Sequence, residues 1–70
     1  MERKRINSSG LRSAGYDERS RLLEVETSDG RVLQFTAVGA ETYRRLMSSP
    51  SPASYYKDHI AEEFPSKRLR

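Results

Sequence analysis

The sequence predicts an α+β domain, in which a three-stranded antiparallel sheet is followed by two helices packed on one face, in the order β-β-β-α-α. Two runs of alternating apolar and polar residues flank an Asp-Gly turn, which is a strong signal for a β-hairpin. Two later segments carry apolar residues at helical spacing. A chain of 70 residues has room for one such domain.

The first predicted strand covers residues 11–16, and a polar connection over residues 17–20 leads to the hairpin. The hairpin strands are residues 22–27 and 31–37, each with apolar side chains at alternate positions. A small sheet with one apolar face is marginal in water, so we expect the helices that follow to cover it.

The length of the hairpin loop decides which side chains are buried. A two-residue loop would place Val25 opposite Gln34 and turn one apolar set towards water, whereas a three-residue loop at 28–30 places Val25 opposite Leu33. Since a slip of one residue moves every side chain to the other face, burial favours the longer loop, with Gly30 in the left-handed region. The predicted inner face is Leu23, Val25, Leu33 and Phe35.

The first predicted helix covers residues 40–48. Tyr43, Leu46 and Met47 fall at i, i+3 and i+4, which places them on one face. Glu41 lies in the first turn, where a negative charge suits the helix dipole.

The second predicted helix begins with Ser51 as its N-cap and Pro52 at the first helical position, and it ends at Pro65. Proline is tolerated at that first position because the N–H that it lacks has no partner within the helix. The predicted apolar face of this helix is Ala53, Tyr56, Ile60 and Phe64.

Charge divides the chain into three segments: a basic disordered tail at 1–5, a domain at 6–65 and a basic tail at 66–70. The formal net charge is +3, but six of the thirteen basic residues lie in the two ends. The remaining seven basic residues stand against nine acidic residues between positions 6 and 66, so the body carries about −2. We therefore expect any contact with phosphates to depend on the ends.

The order of several short motifs resembles a known small domain. These motifs are Ile6-Asn7-Ser8-Ser9, Gly15-Tyr16-Asp17, the Asp29-Gly30 turn, Val38, a helix with Tyr43 and Leu46, Tyr55-Tyr56, Ile60 and Phe64-Pro65. Together they resemble the KTSC domain, found at the C-terminus of some lysyl-tRNA synthetases and alone as a small bacterial protein. The resemblance covers roughly residues 6–65. It implies the fold and, through the link to the synthetase, RNA as a partner.

The sequence departs from the pattern of the family in three places. The central Tyr-x-Tyr stands here as Leu33-Gln34-Phe35, the usual Val-Pro before the first helix stands as Val38-Gly39, and a glycine near the second helix is replaced around Pro52-Ala53. The loss of both tyrosine hydroxyls leaves a packing role for the central motif.

Catalytic chemistry has few candidates in this chain. His59 is the one histidine and there is no cysteine, so neither a His/His nor a Cys/His metal site can form. Glu24 and Glu26 share the outer face of a strand, where no pocket would separate their pKa values. We therefore expect no catalytic residues, no metal, no cofactor and no enzymatic activity.

Binding to nucleic acid is the leading functional expectation. The outer face of the predicted sheet has no aromatic residue, which argues against base stacking on the sheet, and Tyr55 is the aromatic expected to be most exposed. We expect weak, sequence-tolerant binding of RNA or another nucleic acid by a non-catalytic module. The candidate binding residues are Arg3, Lys4, Arg5, Arg44, Arg45, Tyr55, Lys57, Lys67, Arg68 and Arg70.

A protein-interaction or structural accessory domain is the alternative, with another protein docking on an exposed sheet edge. The sequence has neither a long apolar segment nor the apolar core of a signal peptide. We therefore expect no membrane contact. The lack of cysteine fits a cytoplasmic location, and we expect a monomer.

Overall fold

The computed structural model describes residues 3–8 and 10–70, with the side chain of Asn7 left out. The helices and strands, in chain order, are β1 (Arg3–Ser8), β2 (Leu11–Asp17), β3 (Leu22–Thr27), β4 (Val32–Phe35), α1 (Ala40–Ser48), α2 (Pro52–His59) and β5 (Ser66–Arg68).

The strands form one antiparallel sheet in the order β1-β2-β3-β4-β5, so each strand pairs with its neighbour along the chain. Both helices lie in the connection between β4 and β5. Leu46 of α1 and Ile60, directly after α2, join the buried residues of the sheet in one core. The helices thus cover the inner face of the sheet and leave its outer face open.

The expectation of three strands was wrong: the sheet has five, and the order is β-β-β-β-α-α-β. Both additional strands come from the charged ends of the chain. Strand pairing uses backbone C=O groups, which every residue carries, and N–H groups, which only proline lacks, so a polar segment can pair as well as an apolar one. Charged side chains are also common on edge strands, and β1 and β5 are the two edges of this sheet.

The predicted hairpin register is confirmed. Leu23 pairs with Phe35 and Val25 with Leu33. The loop has three residues, closed by a hydrogen bond of 2.9 Å from the Thr27 N–H to the Arg31 carbonyl. Gly30 has a φ of 92°, in the left-handed region that only glycine enters at little cost.

The side chain of Asp29 stabilises this loop by hydrogen bonds. Its carboxylate accepts hydrogen bonds from the Thr27 hydroxyl and, at 3.3 Å, from the Arg31 N–H. These two bonds hold the pKa of Asp29 below its ordinary value, with the nearby Arg31 guanidinium as a smaller cause. The charged form of Asp29 is therefore the one that fits the folded loop.

Helix α1 covers the predicted residues, but α2 is shorter than predicted and ends at His59. Ile60 leaves the helical conformation, and the Ala61 N–H reaches the Tyr56 carbonyl at 2.8 Å in a wider turn. Ser51 is the N-cap residue, although its side chain makes no capping bond. Ending the helix early allows the chain to return to the sheet, where β5 begins.

The core is centred on the inner face of β2, β3 and β4. Phe35 is almost completely buried, and its ring meets that of Tyr56 edge-on, with 5.7 Å between ring centroids. The buried members of the core are Ile6, Leu11, Ala14, Leu23, Val25, Phe35, Val38, Leu46 and Ile60.

Replacing Phe35 with Ala should lower the free energy of unfolding by about 3–5 kcal/mol, because it leaves a cavity at the centre of the core. Gln34→Ala, on the opposite face of the same strand, is the control and should cost less than about 0.5 kcal/mol. Urea unfolding followed by circular dichroism measures both. Equal midpoints for Phe35→Ala and the unchanged protein would refute this assignment of the core.

The same substitution at two glycines tests the loop. Gly30→Ser should cost about 1–2 kcal/mol, because a side chain at a φ of 92° is strained although nothing lies within 4 Å of its Cβ position. Gly39→Ser is the control: Gly39 has equal space and a φ of −75°, and a serine there can cap α1. It should leave the stability unchanged or raise it slightly. If thermal unfolding showed a smaller loss of stability for Gly30→Ser than for Gly39→Ser, the loop would tolerate a side chain.

Candidate nucleic-acid interface

The open face of the sheet carries cations at both edges and acids at its centre. Register places its residues in two rows that cross the strands. One row is Arg3, Gly15, Glu24, Gln34 and Lys67, and the other is Arg5, Ser13, Glu26 and Val32. We refer to these nine residues, with Arg12 and Arg70, as the outer face.

The two acids of the outer face are already neutralised by arginines. Arg3 Nη1 lies 3.4 Å from Glu24 Oε1, and Arg12 and Arg70 lie 3.8 Å and 3.1 Å from Glu26 Oε2. The Ser13 hydroxyl donates a further hydrogen bond of 3.0 Å to Glu26 Oε1. The side chains of Glu24 and Glu26 keep only 18% and 13% of their exposure. A ligand on this face therefore meets the arginines more readily than the carboxylates.

The basic ends and the acidic strand lie on the same face, because β1 and β5 are part of the sheet. Arg5 and Lys67 are exposed, and within the described residues neither has a carboxylate within 4 Å. Five cations stand against Glu24 and Glu26, and Asp17, paired with Leu22 further along the same face, adds a third acid, so the face has an excess of two positive charges. Charge counted along the sequence conceals this excess.

A second group of predicted residues lies on the helix side of β1. Lys4 pairs with Ala14, whose side chain is buried on the inner face, so Lys4 points away from Arg3 and Arg5. It lines a cleft together with Arg44 of α1. Six of the ten predicted residues thus fall into two groups on opposite sides of the sheet, and β1 contributes to each.

The other predicted residues are separate from these two groups. Arg45 forms an ion pair with Glu41 on α1 at 2.5 Å. Lys57 is exposed on α2, and Arg68 pairs with Leu33 at the β5 edge. Tyr55 is half-buried and packs against the core, with its ring centroid 4.8 Å from that of His59.

Tyr16 lies beside the cleft and was not among the predicted binding residues. Its ring stacks on Tyr43, with 5.3 Å between centroids and 14° between planes, and its hydroxyl donates a hydrogen bond of 2.5 Å to the Val38 carbonyl. Burial raises the pKa of the Tyr43 phenol. The alternation of Ala14 and Tyr16 on β2 was the signal that places Tyr16 on the inner face.

Residues 3–8 and 10–70 contain neither a cluster of metal ligands nor a helix that could span a membrane. No three His, Cys, Asp or Glu side chains in these ranges come together as metal ligands would. In the same part of the chain no helix is both long and apolar enough to cross a membrane.

The pattern of the KTSC domain matches residues 7–64, which is most of the chain. The chain belongs to the KTSC family. An uncharacterized protein of Stutzerimonas stutzeri (strain A1501) is 38% identical over 56 residues, which cover 80% of this chain and 79% of that protein. The match of residues 7–64 to the KTSC domain confirms the resemblance drawn from the order of motifs.

A KTSC domain protein of Yersinia pestis has a crystal structure with the same fold. It superposes on this chain with a TM-score of 0.92 and 26% identity, over 99% of this chain and 97% of that one. This chain and the Yersinia pestis protein therefore share the five-stranded sheet with two helices.

Replacing Glu26 with Gln should lower the free energy of unfolding by about 0.5–1 kcal/mol at low salt. The loss is small because Arg12 and Arg70 are more than half exposed, and such ion pairs contribute little. It should shrink as added salt screens the charges. Glu62→Gln is the control, because Glu62 is exposed and has no cation within 4 Å among the described residues. Identical urea midpoints for both variants at low salt would show that the Glu26 pairs do not stabilise the sheet.

Proposed function

We propose that this KTSC domain is a non-catalytic module that binds single-stranded RNA by its phosphates on the outer face of the sheet, with little preference for sequence. The observation that carries the proposal is the position of the two basic chain ends. As edge strands, they bring Arg5 and Lys67 to opposite sides of one face whose two central acids, Glu24 and Glu26, are already paired.

The chemistry of the outer face supports phosphate contact more than recognition of bases. Arginine and lysine bind phosphate oxygens, which are identical at every nucleotide, so such contacts carry no sequence information. No residue of the outer face is aromatic, and the two central acids would repel a strand if their arginines did not neutralise them. Binding of this kind is weak and falls steeply with salt.

A docking site for another protein has less support. Among the described residues, Leu69, with 44% exposure, is the one large hydrophobic residue that is exposed. The β1 edge carries Arg3, Lys4 and Arg5, and β5 has only three residues. Short or charged edges are features that discourage pairing with a further strand.

The proposal assigns no catalytic step to His59. This side chain is exposed, and the ring that lies against it belongs to Tyr55, which cannot act as a carboxylate partner would.

The test is a salt titration with two matched double variants. Arg5→Gln with Lys67→Gln removes the two unpaired cations of the outer face. Arg19→Gln with Lys57→Gln removes one arginine and one lysine that are also exposed and without an ion pair in the described part of the chain. Fluorescence anisotropy with a labelled RNA of mixed sequence gives the affinity at each salt concentration.

The outer-face variant should bind more weakly, and the slope of log K against log[salt] should become shallower by about 1.4, the value for two lost contacts to a single strand. The control variant should keep the slope of the unchanged protein. Equal losses in both variants would mean that binding follows net charge and not the outer face. No binding at low salt would reject the RNA-binding proposal and favour a protein partner.

A further inference from the structure

A cleft lies on the helix side of the sheet, between the edge strand β1 and α1. Its volume is about 510 Å³, within the range of ~300–1,000 Å³ that is usual for small-molecule sites. The residues that line it are Lys4, Tyr43, Arg44, Met47 and Ser48. None of these lining residues belongs to the outer face.

The sequence of α1 gives the cleft an apolar floor and a polar rim. Tyr43 and Met47 are four residues apart, so they lie on one side of the helix, where both are half-buried against the core. Arg44 and Ser48 form the next row and are exposed. The Ser48 hydroxyl donates to the Arg44 carbonyl at 2.8 Å, which fixes its orientation and leaves its lone pairs available.

The two cations of the rim are available for a ligand. Over residues 3–8 and 10–70, neither Lys4 nor Arg44 has a carboxylate within 4 Å. The next residue on the helix, Arg45, is paired with Glu41. The cleft thus combines an aromatic ring and a thioether with two uncompensated positive charges, which suits a ligand with a flat apolar body and a negative group.

We propose that this cleft binds one unstacked nucleobase of the RNA against Tyr43 and Met47, with the adjoining phosphate held by Lys4 and Arg44. The proposal rests on the proposed function and adds a base-binding site to it. Tyr16 already occupies one side of the Tyr43 ring, so the base contacts the part of that ring which lines the cleft. Every base has a π-face, so such contact is also tolerant of sequence.

The geometry of β1 connects the cleft to the outer face. Successive side chains of a strand point to opposite sides, so Lys4 faces the cleft while Arg3 and Arg5 face outwards. A single strand that crosses this edge can place one phosphate on each side of β1. The base between the two phosphates then lies next to the cleft.

The experiment uses the methyl groups of methionine as reporters. The chain has two methionines, Met1 and Met47, so a protein with ¹³C-labelled methionine methyls gives two signals, and Met47→Leu assigns them. Two probes are compared at low salt: an eight-nucleotide oligouridylate and an abasic oligomer with the same number of phosphates. A base in the cleft changes the surroundings of the Met47 methyl group, so the Met47 signal should move with oligouridylate and stay in place with the abasic oligomer.

Neighbouring arginines on α1 provide the matched variants. Arg44→Gln should weaken binding of oligouridylate by roughly tenfold, because it removes the phosphate contact that holds the base in place. Arg45→Gln makes the same change in charge one residue away and should have little effect.

Three results separate this proposal from the proposed function. If oligouridylate binds with a salt-dependent affinity and the Met47 signal does not move, the cleft proposal is wrong and the outer-face proposal stands. If neither oligomer binds, the proposed function fails. The Met47 signal in the presence of millimolar uridine monophosphate then shows whether the cleft binds a nucleotide. A shift of Met47 that Arg44→Gln abolishes would support a nucleotide site, and no shift would overturn it.

Discussion

The fold depends on the register of one hairpin, and that register depends on the backbone at Gly30. With Gly30 in the left-handed region, the loop closes over three residues, and Leu23 meets Phe35 on the inner face. A loop one residue shorter would set the two strands out of phase, so that either Leu33 and Phe35 of β4 would face water or Glu24 and Glu26 of β3 would face the helices. The cost of burying two carboxylates without partners would exceed the gain from any single core contact. The core and the outer face are thus two results of the same turn.

The charged edge strands are held mainly by their backbones. β1 contributes one buried apolar side chain, Ile6, and β5 contributes none. β5 pairs with β4 over three residues, and the Val32 N–H bonds to the Arg70 carbonyl at 3.0 Å beyond them. Strands with so little buried apolar surface open more easily than the central ones. The cations proposed to bind RNA therefore lie on the least stable part of the sheet.

Sequence reasoning predicted the parts of the fold that are local or that bury apolar side chains. The hairpin register, both ends of α1 and the apolar face with Leu46 and Ile60 follow from spacing alone. The edge strands could not be predicted, because Arg3–Ser8 pairs through backbone groups that its composition does not reveal. The end of α2 at His59 depends on the return of the chain to β5, which spacing does not record.

The candidate site was the harder part to predict. The sequence indicated basic residues as candidates, but the two sides of the sheet to which they belong follow from strand alternation in β1, a segment that was expected to be a tail. Lys4 and Arg44 line one cleft although they are far apart along the chain, and Tyr16 and Tyr43, which stack, are also distant in sequence. Contacts of this kind arise only when the sheet and α1 are in place.

The convergence of two arginines on Glu26 has a consequence for how the outer face could exchange partners. Arg12 comes from β2, and Arg70 comes from the chain after β5, 44 positions from the carboxylate that it contacts. If a phosphate draws Arg70 away, Arg12 and the Ser13 hydroxyl still neutralise Glu26. The anion of the ligand then substitutes for the anion of the protein, and no bare carboxylate is left to oppose it. Glu26 would act as a resident counterion, which keeps Arg70 in position until a ligand takes its place.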